Sequence, residues 1–247
     1  QTVVDEASEF GKPDVVCYYE KPFLKRARYL YSGDFQNAFS LLTPKLHLIE
    51  FGVYAPIKYA HHHESHAAGA YFVSGLDEAV ILVADAIGEW ETVTVWHGVK
   101  NSLTKIKSYY YPFSLGLFYT AFSKSYGVSE RDFMALSKNG KPTHYDDVQK
   151  LLNTNLHQGI KGFDALDVDF PCSVQAVFVD WLKRAIFPYR HLSTNLIMAG
   201  GCAYNSLAVN ELGAKVYGDP SDAGSAVGAV AAYTRARIDT GDYAKSC

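Results

Sequence analysis

The chain has 247 residues, 48% of them hydrophobic and 20% charged, with 23 basic and 26 acidic side chains and a net charge of −3. That length and composition suit one large or two packed globular units and exclude a disordered or fibrous chain. The charge total gives no support to nucleic-acid binding, and no run approaches the roughly 18 to 20 apolar residues of a membrane helix.

The opening QTVVDEASEF has neither the basic n-region nor the apolar h-region of a secretion signal. Cys17, Cys172, Cys202 and Cys247 are far apart and form no C-x-x-C pair. Reduced thiols and a cytoplasmic setting are the expectation.

In chain order, PDVVCYYEKP reads as a short strand closed by Pro22. FLKRARYLYSGDFQNAFSLLTPKLHLIEF carries helical spacing broken by Ser32-Gly33-Asp34 and Pro44, hence two or three helices. HHHESHAAGAYF follows at 61–72. In a helix His62 and His66 share one face at a separation that lets two imidazoles hold one divalent metal, while a polar helix end with solvated histidines is the plainer alternative. This is not the H-E-x-x-H arrangement, because His63 stands where its glutamate would be.

Residues 79–84 form a continuous apolar run expected of a strand buried on both faces, ending at Asp85 before a turn with Gly88. ETVTVWHG and LTKIKSYYY alternate with period two about a Lys100-Asn101 turn, which predicts a three-stranded antiparallel meander. SLGLFYTAFSKSYG predicts a helix with Leu115, Phe118, Phe122 and Tyr126 on one face and Gly127 as its stop. DFMALSKNGKPTHY has the composition of a loop. The remainder alternates as helices DDVQKLLNTNLHQ and SVQAVFVDWLKRAIF, strand NLIMAGG, helix CAYNSLAVNEL, strand KVYGD and helix AGSAVGAVAAYTRAR, an α/β pattern.

Three further motifs admit a ligand or a purely structural reading. Gly200-Gly201 lies between strand and helix, where a phosphate or adenine can approach the backbone or where glycine serves tightness alone. Asp85 ends a buried strand and either faces phosphate-bound metal or bonds its own turn. Ser221 and Asp222 occupy an N-cap position before a helix of small residues containing Gly224 and Gly228.

Taken in order, HHESHAAGAYF, DAIGEWETVTVWHG, YPFSLGLFYTAF, FMALSKNGKPTHY, LIMAGGCAYN and DPSDAGSAVGAVAAY resemble the O-carbamoyltransferase family of antibiotic and nodulation-factor biosynthesis, whose first domain is similar to the threonylcarbamoyl-transferase proteins of tRNA modification. VVCYYEKPFLKRARYL matches the segment upstream, so the resemblance covers nearly the whole chain. It implies an actin-like α/β fold of two halves, here a remainder of the first over residues 1–78 and the second over 79–247. It also implies transfer of a carbamoyl group from carbamoyl adenylate, made from carbamoyl phosphate and ATP, to an acceptor hydroxyl on a sugar, polyketide or modified pyrimidine. The metal, iron by resemblance with zinc or manganese as alternatives, would be held by His62, His66 and Asp222. Gly200, Gly201 and Asn205 fall on the adenosine side, Asp85, Gly88 and Glu89 on the phosphate side, and Gly224, beside the last ligand, is a further cofactor-binding position. His63 or Asp85 stands by position as a base for the acceptor.

Ala86 replaces a usual glycine, Ser137-Lys138-Asn139 a usual Ala-Pro-Tyr, and Ser225 a glycine after Asp222. The family's opening hairpin with its His-Asp-Ser motif and its second, adenylate-forming domain have no counterpart in these residues. The expected partner is therefore an adenylate-forming domain or chain. The rival expectations are a noncatalytic metal- or nucleotide-binding module and an ATPase or phosphotransferase of the same superfold.

Overall fold

The computed structural model describes residues 11–40, 43–152 and 167–239, together with residues 6, 9, 154, 156 and 160. A short strand β1 (Val16–Tyr18) pairs in parallel with β2 (Ile57–Tyr59). Between them lie three helices, α1 (Pro22–Tyr31), α2 (Phe35–Ser40) and α3 (Pro44–Glu50). Pro22 and Pro44 stand at the first helical positions, where a missing N–H costs nothing. Helix α4 (His62–Ser74) follows and stops at Gly75, which takes the left-handed conformation at φ 69°.

The main sheet contains β3 (Glu78–Gly88), β4 (Glu91–Val99), β5 (Ser102–Tyr110) and β6 (Leu196–Ala199) in the order β5-β4-β3-β6. The first three form the expected antiparallel meander, and β6 joins β3 in parallel. Strand β3 is buried on both faces. Val80, Leu82 and Ala84 enter one core with helices α5 (Leu115–Ser125) and α8 (Asp169–Ile186) through Leu115, Phe118, Val174 and Phe178. Ala79, Ile81 and Val83 enter a second core with α4 and the last helix, α10 (Ser225–Thr234), through Ala68, Tyr71, Ala231 and Ala232. This is a three-layer α/β arrangement, so the expected α/β class is met. Helices α6 (Glu130–Leu136), α7 (Tyr145–Leu151) and α9 (Ser206–Leu212), with 3-10 turns at Phe187–Leu192 and Gly201–Tyr204, complete the described elements.

Four local expectations are corrected. The segment read as a loop begins inside α6, whose N-cap Ser129 accepts a hydrogen bond from the Asp132 amide; the Gly-Pro signal belongs only to the residues after Leu136. The helix expected over CAYNSLAVNEL is split, because Asn205 leaves helical geometry and caps α9 by accepting from the Ala208 amide. KVYGD contributes a single bridge, Lys215 to Ile197, instead of a strand. Asp222 and Ser221 are not the cap of α10; Gly224 is, with no side-chain hydrogen bond. Helix α7 ends at Leu151, and most of the NTNLHQ continuation lies outside the described residues, as does Cys247. Cys17, Cys172 and Cys202 are free thiols. No helix among the described residues is long and apolar enough to cross a membrane.

Candidate metal centre

Helix α4 lies between the sheet and α10, so its first turn is interior and not a solvated end. His62, His63 and His66 are 4%, 0% and 3% exposed. Room for them depends on missing side chains: a Cβ on Gly88 would lie 2.3 Å from the His62 ring and 2.6 Å from that of His63. The β3–β4 ladder is interrupted between Ala84 and Gly88, and Asp85 stands at that break. Its Oδ1 accepts from the Ala86 amide at 2.6 Å, which leaves Oδ2 directed to the histidines.

Asp85 Oδ2 is 3.2 Å from both His62 Nε2 and His66 Nε2. Asp222 Oδ1 approaches the same two atoms at 3.3 and 3.5 Å, and the two Nε2 atoms are 3.1 Å apart. One donor atom from each of these four residues thus falls within 4.8 Å of every other. Two imidazoles and two carboxylates meeting at one point form a donor set for a divalent zinc, iron or manganese ion. The residues present fit such an ion. His62, His66 and Asp85 are shielded, whereas the Asp222 side chain is 62% exposed and forms the open side.

The proton chemistry follows the geometry. Burial alone would lower the His62 pKa, yet the Asp222 and Asp85 carboxylates push it up to about 9. His66 is raised against its burial by the same pair. Asp85, despite its burial, is held well below the usual carboxylate range by His62 and His66, and Asp222 is held below it by the same imidazoles. In the absence of a cation, protons on the imidazoles balance two carboxylates.

His63 does not join this cluster. Its Nδ1 is 3.0 Å from Thr94 Oγ1, which also accepts from Trp96 Nε1, and burial holds its pKa well below the ordinary value. A fully enclosed ring offers no nitrogen to a hydroxyl arriving from solvent, which argues against its candidacy as base. Glu89 also faces elsewhere. It adopts φ 57° in the β3–β4 turn, and its carboxylate accepts from the Lys21 amide at 2.5 Å and lies 2.9 Å from His61 Nδ1.

Beside the cluster lies a cavity of about 650 Å³ whose lining includes Asp85, Ala86, Tyr119, Gly201, Cys202 and Asn205. Gly88, Glu89, Gly200 and Gly224 are not part of that lining. Gly200, at φ 82°, packs its α-carbon over the Ala84 carbonyl, where a Cβ would sit 2.3 Å from oxygen. At Gly224 a Cβ would collide with the Asp219 carbonyl at 1.9 Å. Asn205 is anchored beneath the cavity: its amide exchanges two hydrogen bonds with Gln175, whose Oε1 also accepts from Tyr119. Gln175 carried no sequence signal, since its partners are remote in the chain. The departure Ser225 is likewise engaged, 3.1 Å from His66 Nδ1.

Sheet and cluster together define an α/β protein with a candidate metal centre at a break in its central strand, opening on a ligand-sized cavity. The family described as carbamoyltransferase N-terminus matches residues 23–168, more than half of the chain, and this chain belongs to that family. The uncharacterized protein sll1178 of Synechocystis is 41% identical over 95 residues, which is 37% of this chain and 15% of that relative. The chain therefore matches only a small part of this curated relative's length.

Among solved structures, component A of (R)-2-hydroxyglutaryl-CoA dehydratase from Acidaminococcus fermentans is similar at TM-score 0.49 and 16% identity, over 74% of this chain and 70% of that one. The activator of 2-hydroxyisocaproyl-CoA dehydratase from Clostridium difficile, with bound ADPNP, reaches 0.48 at 14% identity over 73% and 67%. HypF of T. kodakarensis reaches 0.46 at 13% identity over 81% and 39%. These are partial likenesses of fold, and nothing about ligand or reaction passes from them.

Proposed function

We propose that this chain is the metal- and nucleotide-holding part of a carbamoyltransferase, in which a carbamoyl group passes from carbamoyl adenylate to an acceptor hydroxyl. The observation that carries the reading is the convergence of His62, His66, Asp85 and Asp222 beside a cavity that Asp85 also lines. In this reading those four residues hold a divalent metal, iron by family resemblance. When bound, such an ion supplies a fixed positive charge for the phosphate or for the charge that develops on the carbamoyl oxygen.

The cavity suits an adenosine moiety, with Gly201 and Asn205 on its wall and Tyr119 and Gln175 fixing Asn205 from behind. The acceptor oxygen forms the new bond to the carbamoyl carbon, the bond to the AMP oxygen breaks, AMP leaves with the electron pair, and the hydroxyl proton passes to the phosphate of the departing AMP or to water. Asp85, already facing two imidazoles, acts in positioning rather than as the base, and alignment of acceptor with acyl group supplies much of the acceleration. Division into a first-half remainder over 1–78 and a second half over 79–247 belongs to this reading, as does an adenylate-forming domain or chain as partner.

The test is carbamoylation with carbamoyl phosphate, ATP, a panel of hydroxyl acceptors and the adenylate-forming partner, with and without chelator. Chelator-sensitive carbamoyl acceptor supports the proposal. A second reading is a module that holds metal at the four-residue cluster and nucleotide in the adjoining cavity without transferring a group. It predicts binding of both with no carbamoylated product. ATP hydrolysis independent of carbamoyl phosphate would identify an ATPase instead.

A further inference from the structure

The two ring nitrogens of His62 have unequal surroundings. Nε2 faces Asp85, Asp222 and His66, whereas Nδ1 is buried with no hydrogen-bond partner. An imidazole that gives Nε2 to a cation carries its proton on Nδ1, and a donor left orphaned in the interior is a standing cost. His66 meets the same requirement through Ser225 Oγ, 3.1 Å from its Nδ1. For His62 the charged oxygen nearby is Glu20 Oε2, at 3.8 Å.

Glu20 is built for such a role. It lies two residues beyond the end of β1, is 4% exposed, and both its oxygens accept from Lys25 Nζ, at 2.9 and 3.0 Å. The strand end is pinned to α4, because Ser65 Oγ donates to the Tyr19 carbonyl at 3.0 Å, and the Tyr19 ring packs on the His62 ring with centroids 5.6 Å apart. The carboxylate is thus held just beyond hydrogen-bond reach of the orphaned nitrogen by groups on both sides of it.

We propose that Glu20 is the positioning residue of His62: with a divalent cation at the cluster it accepts the hydrogen bond of Nδ1–H, fixing the tautomer and aiming Nε2, while Lys25 offsets the buried carboxylate. This rests on the reading that the cluster holds a metal. A carboxylate behind a metal-bound imidazole raises the basicity of the ligand as well as orienting it. A Glu20–Lys25 ion pair that served stability alone would have no bearing on the cation.

The test uses the whole chain with Co²⁺ or Zn²⁺ alone. Affinity is measured by chelator competition, coordination by the visible spectrum of the Co²⁺ form, and the His62 Nδ1–H by long-range ¹H–¹⁵N NMR of the Zn²⁺ form. Glu20→Ala is expected to weaken binding by roughly 10- to 100-fold at unchanged stoichiometry, to alter the Co²⁺ spectrum and to expose the Nδ1–H to fast solvent exchange. Glu20→Asp should recover part of the loss. Because Glu20→Ala strands Lys25, the double variant Glu20→Ala/Lys25→Met is measured beside it and should lose as much. His66→Ala reports on the cluster itself. Wild-type affinity, spectrum and N–H protection in both Glu20→Ala forms, with binding lost in His66→Ala, would overturn the role of Glu20 and leave the metal reading standing. A wild-type chain that binds neither cation overturns both.

Discussion

Helices α4 and α10 touch through two glycines, and that contact sets the position of Asp222. A Cβ on Gly228 would lie 1.9 Å from the Ser65 carbonyl oxygen and 3.2 Å from the Gly69 amide nitrogen. To open the first distance to 3.0 Å in Gly228→Ala, α10 must retreat by about 1.1 Å against backbone that has no rotamer to change. Alanine is favoured over glycine in a helix interior by about 1 kcal/mol. Overpacking costs about 1–3 kcal/mol, and contact with main chain puts this site at the upper end, so the clash wins. The net loss of about 2 kcal/mol lowers Tm by about 4–8 °C in a chain of this size.

The same retreat carries Ser225 and Asp222 away from the histidines, now 3.1 and 3.3 Å distant, so cation affinity falls with stability. Thermal unfolding of Gly228→Ala with and without Zn²⁺ measures both effects. Gly69→Ala, whose Cβ would meet Gly228 Cα at 3.2 Å, serves as the milder neighbour and should change stability by no more than about 1 kcal/mol. If Gly228→Ala melts at or above the wild-type temperature and keeps its cation affinity, the close approach of the helices does not place Asp222, and the argument fails.

Elemental analysis should find metal in the wild-type chain, background levels in His66→Ala, which loses a buried imidazole, and weakened but measurable binding in Asp222→Ala, in which both buried imidazoles and Asp85 remain. The folded pKa of His62, about 9, lies above its ordinary value of 6.5. Its contribution to the cation-free protein is therefore complete below pH 6.5 and lost as pH rises through 9. Tm of the chelated protein should fall over that window while cation affinity rises, because the ion displaces the same proton. A flat Tm would show that the imidazole–carboxylate contacts do not store this energy. Gln175→Leu should cost about 1–3 kcal/mol by leaving the Asn205 amide underbonded, weaken adenine-nucleotide binding in calorimetry, and leave Zn²⁺ affinity unchanged. Loss of Zn²⁺ affinity in that variant would show that cavity and cluster are one cooperative unit.

The elements with strong periodicity were legible in the chain. The run at 79–84 announces a strand buried on both faces, and alternate residues of β3 do enter separate cores. The His62–His66 spacing indicates a shared face, because four residues span about one helical turn. Asp222 was legible only through family resemblance, since nothing local distinguishes a ligand from a cap. The sequence points Asp85 toward a base or phosphate-side role, and its approach to both imidazoles depends on a ladder break that periodicity does not encode. Glu20, Gln175 and the Glu89–His61 contact are hidden for a related reason: each is a tertiary meeting between remote segments. The helix at 130–136 is obscured in the sequence by the Gly-Pro punctuation just after it, although Ser129 marks its start.

The four-residue cluster draws its last carboxylate from residue 222, some 137 positions beyond Asp85 and 156 beyond His66. During synthesis the histidines and Asp85 emerge long before Asp222, so any cation captured early sits in a three-sided cup and exchanges readily. If the cluster holds an ion as proposed, the fourth side closes only once the loop carrying Asp222 ahead of α10 has left the ribosome. A nascent chain arrested before that point should surrender its ion to a chelator within the time that the finished protein retains it.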